Sequence, residues 1–388
     1  MRRNFIVIFG AHMFVEVFLL THLALLPTFI EEFKLTLLQA SLIASIPSLL
    51  VILSYMPIGV LADKFGAKPF LMGSMLIEGA AALLVSQARD FWTLVAGISL
   101  LRISSPTYHI AGMSAVSNMV KGASTSRALG YHNALGSFGT TIGLLSLSLI
   151  AWKYGWRTVY LVWAIPIMLW CIPILKSEIL RGRKSLKVEE KEGRALTNLS
   201  SVLTPKFVSL LVITSLQILG SSAISTFLTT YLVEYRGFSQ EISSLIFSLG
   251  PLTGIFGSLI SGYLSSRFGD ERFLMATITC SAFSLIFLYN AVSLEYVLAA
   301  YGVYSLFING MWSPIGSLVA TLTPRENRGV GYSSYFLTSG ISATIQPVIM
   351  AIIIERTDLS VIFPIAMGLM LLSALLIKIF SIKPTRQH

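Results

Sequence analysis

Twelve apolar runs divide this 388-residue chain, and each is long enough to cross a lipid bilayer as a helix. A spanning helix needs about 20 mainly apolar residues. The chain is therefore predicted to be an all-α integral membrane protein. The predicted spans are 4–29, 38–62, 69–87, 92–116, 127–151, 157–175, 207–232, 241–265, 272–290, 295–322, 328–354 and 360–380.

The composition agrees with a lipid environment, because 54% of the residues are hydrophobic and only 12% are charged. Soluble domains carry about 25% charged residues. A net charge of +10 is also found in nucleic-acid-binding proteins, but here Lys and Arg lie in short segments between the apolar runs, as topology signals do. We therefore expect no nucleic-acid partner. Cys171 and Cys280 offer no disulfide framework and no zinc-ligand spacing.

The N-terminus resembles a signal peptide, with two arginines before an apolar run. That run continues to about Phe29, which is too long for the core of a signal peptide. We interpret it as a retained first span.

The distribution of positive charge predicts the orientation. Of the 28 Lys and Arg residues, 21 lie on the side of the N-terminus and the 59–68 loop, six lie on the opposite side, and Arg102 lies within a span. Lys and Arg accumulate on the cytoplasmic side of membrane proteins. We predict a multi-pass cell-membrane protein with both termini in the cytoplasm.

The two halves of the chain repeat at an offset of about 200 residues, as parallel six-span repeats do. We predict an N-terminal six-helix bundle at 1–175, a charged cytoplasmic linker at 176–206 and a C-terminal six-helix bundle at 207–388. The linker is expected to be partly helical and solvated. Matched pairs are Gly59 with Gly262, Gly66 with Gly269, and Gly139 with Gly340.

The loop after the second span carries a charged string that predicts a cytoplasmic gate. Asp63 can accept hydrogen bonds from a helix N-terminus, whose partial positive charge favours an anion, or it can pair with Arg127. Gly66 permits a tight turn. In the second copy Ser266 replaces the acid, so we expect weaker closure there. The predicted gate consists of Gly59, Asp63, Lys64, Gly66, Lys68 and Arg127.

These strings resemble motifs of the major facilitator superfamily. Arg102, followed by Gly112, resembles its fourth-helix arginine motif, and Gly130, Gly139 and Gly143 resemble the start of its antiporter motif. The likeness ends where that motif has proline and two glycines, at Leu144, Leu147 and Ser148. The resemblance implies two bundles that alternate access to a central substrate.

Within that superfamily, the first 150 residues are similar to fosmidomycin-resistance-type efflux proteins. The similarity is carried by His12 with Glu16 and by Tyr108-His109, although Ile110 stands where that family tends to have proline.

Charged residues inside a bilayer cost about 2.5–3.5 kcal/mol each on insertion scales, so each one needs a reason. His12 and Glu16 are four apart and share one helix face. A carboxyl there can take up and release a proton in each cycle, while the structural alternative is a neutral or ion-paired residue. The predicted proton-coupling residues are Glu16, Arg102, His109 and His12.

Several other polar residues keep two interpretations. Arg102 could bind an anionic substrate, exchange a salt bridge with Glu16, or tie helices together. Glu78 could be a structural partner or a relay, and His22 and His132 are expected to be structural. The predicted substrate-cavity residues are Tyr108, Gln217, Asn309 and Gln346.

Together these features predict a secondary transporter that works by alternating access, with proton-coupled export as the main hypothesis. The chain lacks a Gly-x-x-x-x-Gly-Lys-Ser/Thr phosphate loop, so we expect no ATP-driven pumping, and we expect neither an enzyme nor a bound cofactor or metal. Proton-coupled uptake of a small organic anion is the alternative, and a membrane sensor is a weaker one. We expect protons and one small molecule as partners, and a monomer.

Overall fold

The computed structural model describes residues 2–35, 37–120, 122–177 and 199–382, and every regular element in these ranges is helical. The α-helices are α1 Arg2–Glu16, α2 Thr21–Ala24, α3 Leu26–Phe33, α4 Leu37–Phe65, α5 Ala67–Ser86, α6 Phe91–Met119, α7 Ser124–Tyr154, α8 Trp156–Leu169, α9 Cys171–Leu175, α10 Leu199–Val202, α11 Pro205–Thr230, α12 Gln240–Phe268, α13 Asp270–Asn290, α14 Leu294–Asn309, α15 Trp312–Leu322, α16 Arg328–Arg356 and α17 Ile362–Phe380. Single turns add a π-helix at Tyr231–Tyr235 and 3₁₀ turns at Arg325–Asn327 and Leu359–Val361.

All twelve predicted spans fall on helices, so the chain has the twelve-helix architecture that its apolar runs predicted. Within the described ranges, ten helical segments are long and apolar enough to cross a membrane. The other two predicted spans are α6, whose middle carries Arg102 and several serines, and the pair α14 and α15.

Three predicted spans are interrupted rather than continuous. The first is divided into α1, α2 and α3. After Glu16 its backbone uses i→i−3 hydrogen bonds, from Val17 N to Phe14 O at 3.2 Å and from Leu19 N to Glu16 O at 3.2 Å. The sixth span is divided at Trp170, and the tenth at Gly310 and Met311. An apolar run predicts the length of a span but not such breaks.

The described chain forms two compact units. The first comprises Met1–Met119, Leu135–Asn198 and Glu326–Ser333, and the second comprises Val120–Ala134, Leu199–Arg325 and Ser334–His388. Within the first, α6 packs on α4 and α5, and α5 packs on α8. Within the second, α17 packs on α11 and α13, and α14 packs on α12 and α13. The start of α7 belongs to the second unit and the start of α16 to the first. Residues 178–198 of the predicted linker lie outside the described ranges.

Candidate functional site

A buried carboxylate and two histidines meet inside the first unit. Glu16 is the last residue of α1 and is 7% exposed, and His12 lies one turn before it. His109 comes from α6. Its Nε2 lies 3.0 Å from Glu16 Oε1 and 3.1 Å from His12 Nε2, and His12 Nε2 lies 3.7 Å from Glu16 Oε1. We call these three residues the His-Glu-His cluster.

Neighbouring groups fix the orientation of both imidazoles. His109 Nδ1 lies 2.9 Å from the Ser105 carbonyl oxygen and 3.2 Å from its hydroxyl. Tyr108 stacks on His12 with ring centroids 5.2 Å apart, and its hydroxyl donates to Ile8 O at 2.6 Å. Tyr108 is therefore completely buried where α6 meets α1. Gly136 packs directly against the imidazole of His12, because a Cβ at position 136 would collide with that ring.

Glu16 has one further contact, on its other oxygen. Thr140 Oγ1 of α7 lies 3.4 Å from Glu16 Oε2. The two carboxylate oxygens thus face different partners: Oε1 faces the histidines and Oε2 a hydroxyl. The sequence predicted that His12 and Glu16 share a face, but it contained no signal for Thr140 or Ser105.

Arg102 lies about two turns before His109 on α6, beside a cavity of about 10 Å³. Glu78, His22 and Ser105 also line that cavity, which has room for about one water molecule. No ion pair within 4.0 Å involves Arg102 in the described part of the chain. Glu78 accepts a hydrogen bond from Ser104 Oγ at 2.7 Å.

Asp63, near the end of α4, lies next to the first residues of α16, within the first unit. Gly329 N donates to its Oδ1 at 2.7 Å and Val330 N to its Oδ2 at 2.9 Å. The sequence left two partners open for Asp63, a helix N-terminus or Arg127. In the structure Asp63 contacts a helix N-terminus. Gly59 lies against the same segment, because a Cβ there would be 2.8 Å from Gly329 O.

The other predicted gate residues lie in different places. Gly66 has φ 80°, as the predicted turn requires. Lys68 Nζ donates to Leu175 O at 2.7 Å, at the end of α9, and Lys64 lies over the Phe65 ring. In the second unit, Arg127 donates to Ser266 Oγ at 3.3 Å and its guanidinium lies over Tyr263.

The second copy of the loop string also contains a carboxylate, one that the sequence comparison missed. Asp270 directly follows Gly269 and begins α13. Its Oδ1 accepts hydrogen bonds from Ser126 and Ser265, and its Oδ2 accepts one from Ser317 at 2.5 Å. Ser266 does stand where the first copy has Asp63, and weaker closure at this copy stays a prediction. The acid is displaced by four positions, and the signal was its place directly after the repeated glycine.

The polar residues predicted to line the substrate cavity of the C-terminal half lie on three helices of the second unit. Gln217 Nε2 donates to Ser221 Oγ at 3.1 Å, and Asn309 Nδ2 donates to Gly250 O at 3.2 Å. Gln346 is 3% exposed, and its amide nitrogen and oxygen have no hydrogen-bond partner among the described residues. A buried amide without partners is costly and calls for a ligand or a second conformation.

The model of the Major Facilitator Superfamily matches residues 5–289 and, in a second match, 210–388. This chain belongs to the Major Facilitator Superfamily. The crystal structure of FucP, a transporter of the same superfamily in the outward conformation, covers 97% of both chains with a TM-score of 0.81 at 18% identity. That likeness concerns the fold alone.

Two multidrug resistance proteins are similar to this chain in sequence. The multidrug resistance protein MdtG of Yersinia enterocolitica is 29% identical over 246 residues, 59% of this chain and 55% of that protein. The MdtG of Escherichia fergusonii is 27% identical over 271 residues, 67% of this chain and 65% of that protein. The matched stretch thus spans between about half and two thirds of these relatives. The chain is therefore a multi-pass membrane protein of the Major Facilitator Superfamily.

Proposed function

We propose that this transporter exports a small molecule in exchange for protons and that Glu16 carries the proton. The observation that supports this proposal best is the His-Glu-His cluster, a buried carboxylate whose only charge-bearing contacts within 4.0 Å in the described residues are His12 and His109. Each of these groups changes its charge by taking up or releasing a proton. Adding a proton to the cluster changes the attraction between α1 and α6, so protonation can bias a conformational change.

The direction of transport rests on similarity and on glycine packing. Two relatives carry the name multidrug resistance protein, which favours export of drugs. The finer resemblance to fosmidomycin-resistance-type proteins adds phosphonates to the candidate substrates. Gly139 and Gly143 bring α7 against the α1 backbone, in agreement with the first part of the antiporter motif.

The remaining parts of the proposal concern the cytoplasmic face and the substrate. Asp63 binds the N-terminus of α16, and we expect this contact to stabilise closure of the transport path at its cytoplasmic end. Both chain termini lie on the cytoplasmic side in this proposal. The amide of Gln346, which has no hydrogen-bond partner among the described residues, supports a substrate contact, and Gln217 and Asn309 lie on two other helices of the second unit. We propose a monomer as the working form.

The test uses the purified full chain in proteoliposomes with an imposed pH gradient, screened with phosphonates, organic anions and hydrophobic drugs. Antiport accumulates the substrate in the acidic compartment, whereas symport accumulates it in the alkaline one. Glu16→Gln is expected to abolish gradient-driven accumulation and to preserve exchange of substrate without a gradient. Unchanged accumulation by Glu16→Gln would refute the assignment.

Glu78→Gln is the matched control, because Glu78 is also a buried carboxyl of the first unit and a glutamine can still accept the hydrogen bond of Ser104. We expect Glu78→Gln to retain gradient-driven transport. Loss of coupling in both variants would contradict a specific role for Glu16.

Proton-coupled uptake of a small organic anion is the second candidate, favoured by Arg102, which has no carboxylate within 4.0 Å in the described residues. A guanidinium can bind a carboxylate or phosphonate through two hydrogen bonds. In this conformation the adjacent cavity is too small for such an anion. Accumulation of an organic anion on the alkaline side, lost in Arg102→Lys, would favour uptake over export.

A further inference from the structure

The contact between Glu16 and His109 requires a proton or another cation between the two side chains. The Ser105 carbonyl oxygen can only accept a hydrogen bond, so the Nδ1 atom of His109, 2.9 Å away, carries a hydrogen. In the neutral ring, Nε2 then carries a lone pair. That lone pair faces a carboxylate oxygen at 3.0 Å and a second imidazole nitrogen at 3.1 Å. The lone pair and the carboxylate oxygen repel each other unless a proton or another cation lies between them, whereas a neutral His12 can donate an Nε2 hydrogen to the same lone pair.

A proton on His109 is one such cation, but the shape of the cluster also fits a larger one. The three ligand atoms are separated by 3.0, 3.1 and 3.7 Å. Ligands held about 2.0–2.1 Å from a tetrahedral metal ion lie about 3.3 Å from one another. An ion about 0.7 Å out of the plane of Glu16 Oε1 and the two Nε2 atoms would lie about 2.05 Å from each of them, close to the position that a tetrahedral site requires.

The surrounding residues provide the support that metal ligands commonly have. Metal-binding histidines usually donate their second N–H to a carbonyl or carboxylate, which fixes ring orientation, and His109 donates to Ser105 O. His12 is held by stacking on Tyr108 and by the close fit of Gly136. Thr140 contacts the carboxylate oxygen that faces away from the histidines.

We propose that His12, Glu16 and His109 bind one divalent transition-metal ion, such as Zn²⁺ or Co²⁺, with a fourth position left for water or another ligand. Two imidazoles and one carboxylate favour these ions over Mg²⁺ and Ca²⁺, which prefer oxygen ligands. The sequence contains no metal-ligand spacing, because His109 follows His12 by 97 residues, and only the fold brings the third ligand to the other two. The consequence for transport rests on the proposed function: a bound metal ion occupies the place of the coupling proton and should block gradient-driven flux.

The first measurement is metal binding, which does not depend on transport. Purified full-length protein without a histidine tag is titrated with Co²⁺ in detergent, and the visible absorption of tetrahedral Co²⁺ is recorded. Zn²⁺ is then used to displace Co²⁺, with an expected stoichiometry of one ion per chain. Glu16→Gln and His109→Gln should each weaken binding at least about 100-fold, because loss of a supporting group alone costs 10–100-fold.

His132→Gln is the control, because His132 is completely buried but lies outside the cluster. It should bind Co²⁺ as the unchanged protein does. Monodisperse elution of each variant on size-exclusion chromatography establishes that it folds. Absence of tetrahedral Co²⁺ absorption in the unchanged protein, or equal binding by the folded His109→Gln variant, would overturn the proposal.

The second measurement separates this proposal from the proposed function. Gradient-driven flux of the unchanged protein is measured with and without Zn²⁺ at concentrations that saturate binding. Inhibition that is absent from a non-coupled exchange assay supports both proposals. Tight binding without inhibition would leave the metal site standing and contradict Glu16 as the coupling carboxyl.

Discussion

Replacing Gly139 with alanine should separate two helices that now touch through their backbones. A Cβ at Gly139 would collide with the Met13 carbonyl oxygen and lie 2.8 Å from its carbonyl carbon. Gly143 repeats this contact one turn later against Val17. Small residues permit such close approach of membrane helices, and a backbone carbonyl cannot rotate away as a side chain can. Overpacking of this kind costs about 1–3 kcal/mol.

Alanine also stabilises a helix by about 1 kcal/mol relative to glycine, so the net loss for Gly139→Ala is about 0–2 kcal/mol, and the 2.8 Å contact with backbone favours the upper end. Gly73→Ala is the matched control, because Gly73 lies within α5 and a Cβ there meets no atom within 4 Å. The gain in helix propensity is common to both variants, so they should differ by about the overpacking cost alone.

The assay is the apparent unfolding temperature in detergent, followed by size-exclusion chromatography at one fixed heating rate because membrane-protein unfolding is often irreversible. Gly139→Ala should unfold several degrees below the unchanged protein, and Gly73→Ala at or slightly above it. Equal unfolding temperatures for the two variants would refute the close contact between α1 and α7.

Two further predictions concern the carboxylates at the loop strings. Asp63→Asn replaces one of the two accepting oxygens by a donor and removes the negative charge at the start of α16. We expect normal membrane insertion with a reduced transport rate. A wild-type transport rate would contradict a role of Asp63 in the cytoplasmic gate. Asp270→Asn should lower the apparent unfolding temperature, since hydrogen bonds to charged groups contribute about 1.5–3 kcal/mol. The control is Glu271→Gln, because Glu271 Oε2 has no hydrogen-bond partner among the described residues. An equal fall of the apparent unfolding temperature in both variants would contradict a special role for the three serines that donate to Asp270.

The spans could be predicted from the sequence because apolar length alone determines whether a segment can cross a bilayer. The breaks could not, since Glu16, Trp170 and Gly310 lie within runs whose hydropathy continues past them. Their positions depend on packing against neighbouring helices, which a single sequence does not contain.

The candidate site was predictable in part for the same reason. The spacing of His12 and Glu16 placed both on one helix face, and family resemblance pointed to His109. The distance of 3.0 Å between His109 and Glu16 depends on how α6 packs on α1. An exchange of Arg102 with Glu16 was one of the alternatives that the sequence left open, and in the structure Arg102 lines a cavity with Glu78 and His22. That exchange stays a prediction about another conformation.

Glu16 is the last residue of α1, and the backbone after it has a different hydrogen-bond pattern. Between Val17 and Thr21 the amides reach back only three residues, with Thr21 N at 3.4 Å from Phe18 O. Short stretches of this kind within a span often mark hinges. The carboxylate therefore lies at a junction between the α-helix α1 and a more tightly wound 3₁₀-type turn, whose hydrogen bonds have poorer geometry. If this junction is a hinge, a proton or metal ion that binds Glu16 changes the charge at the point where α1 and the segment α2–α3 can move relative to each other.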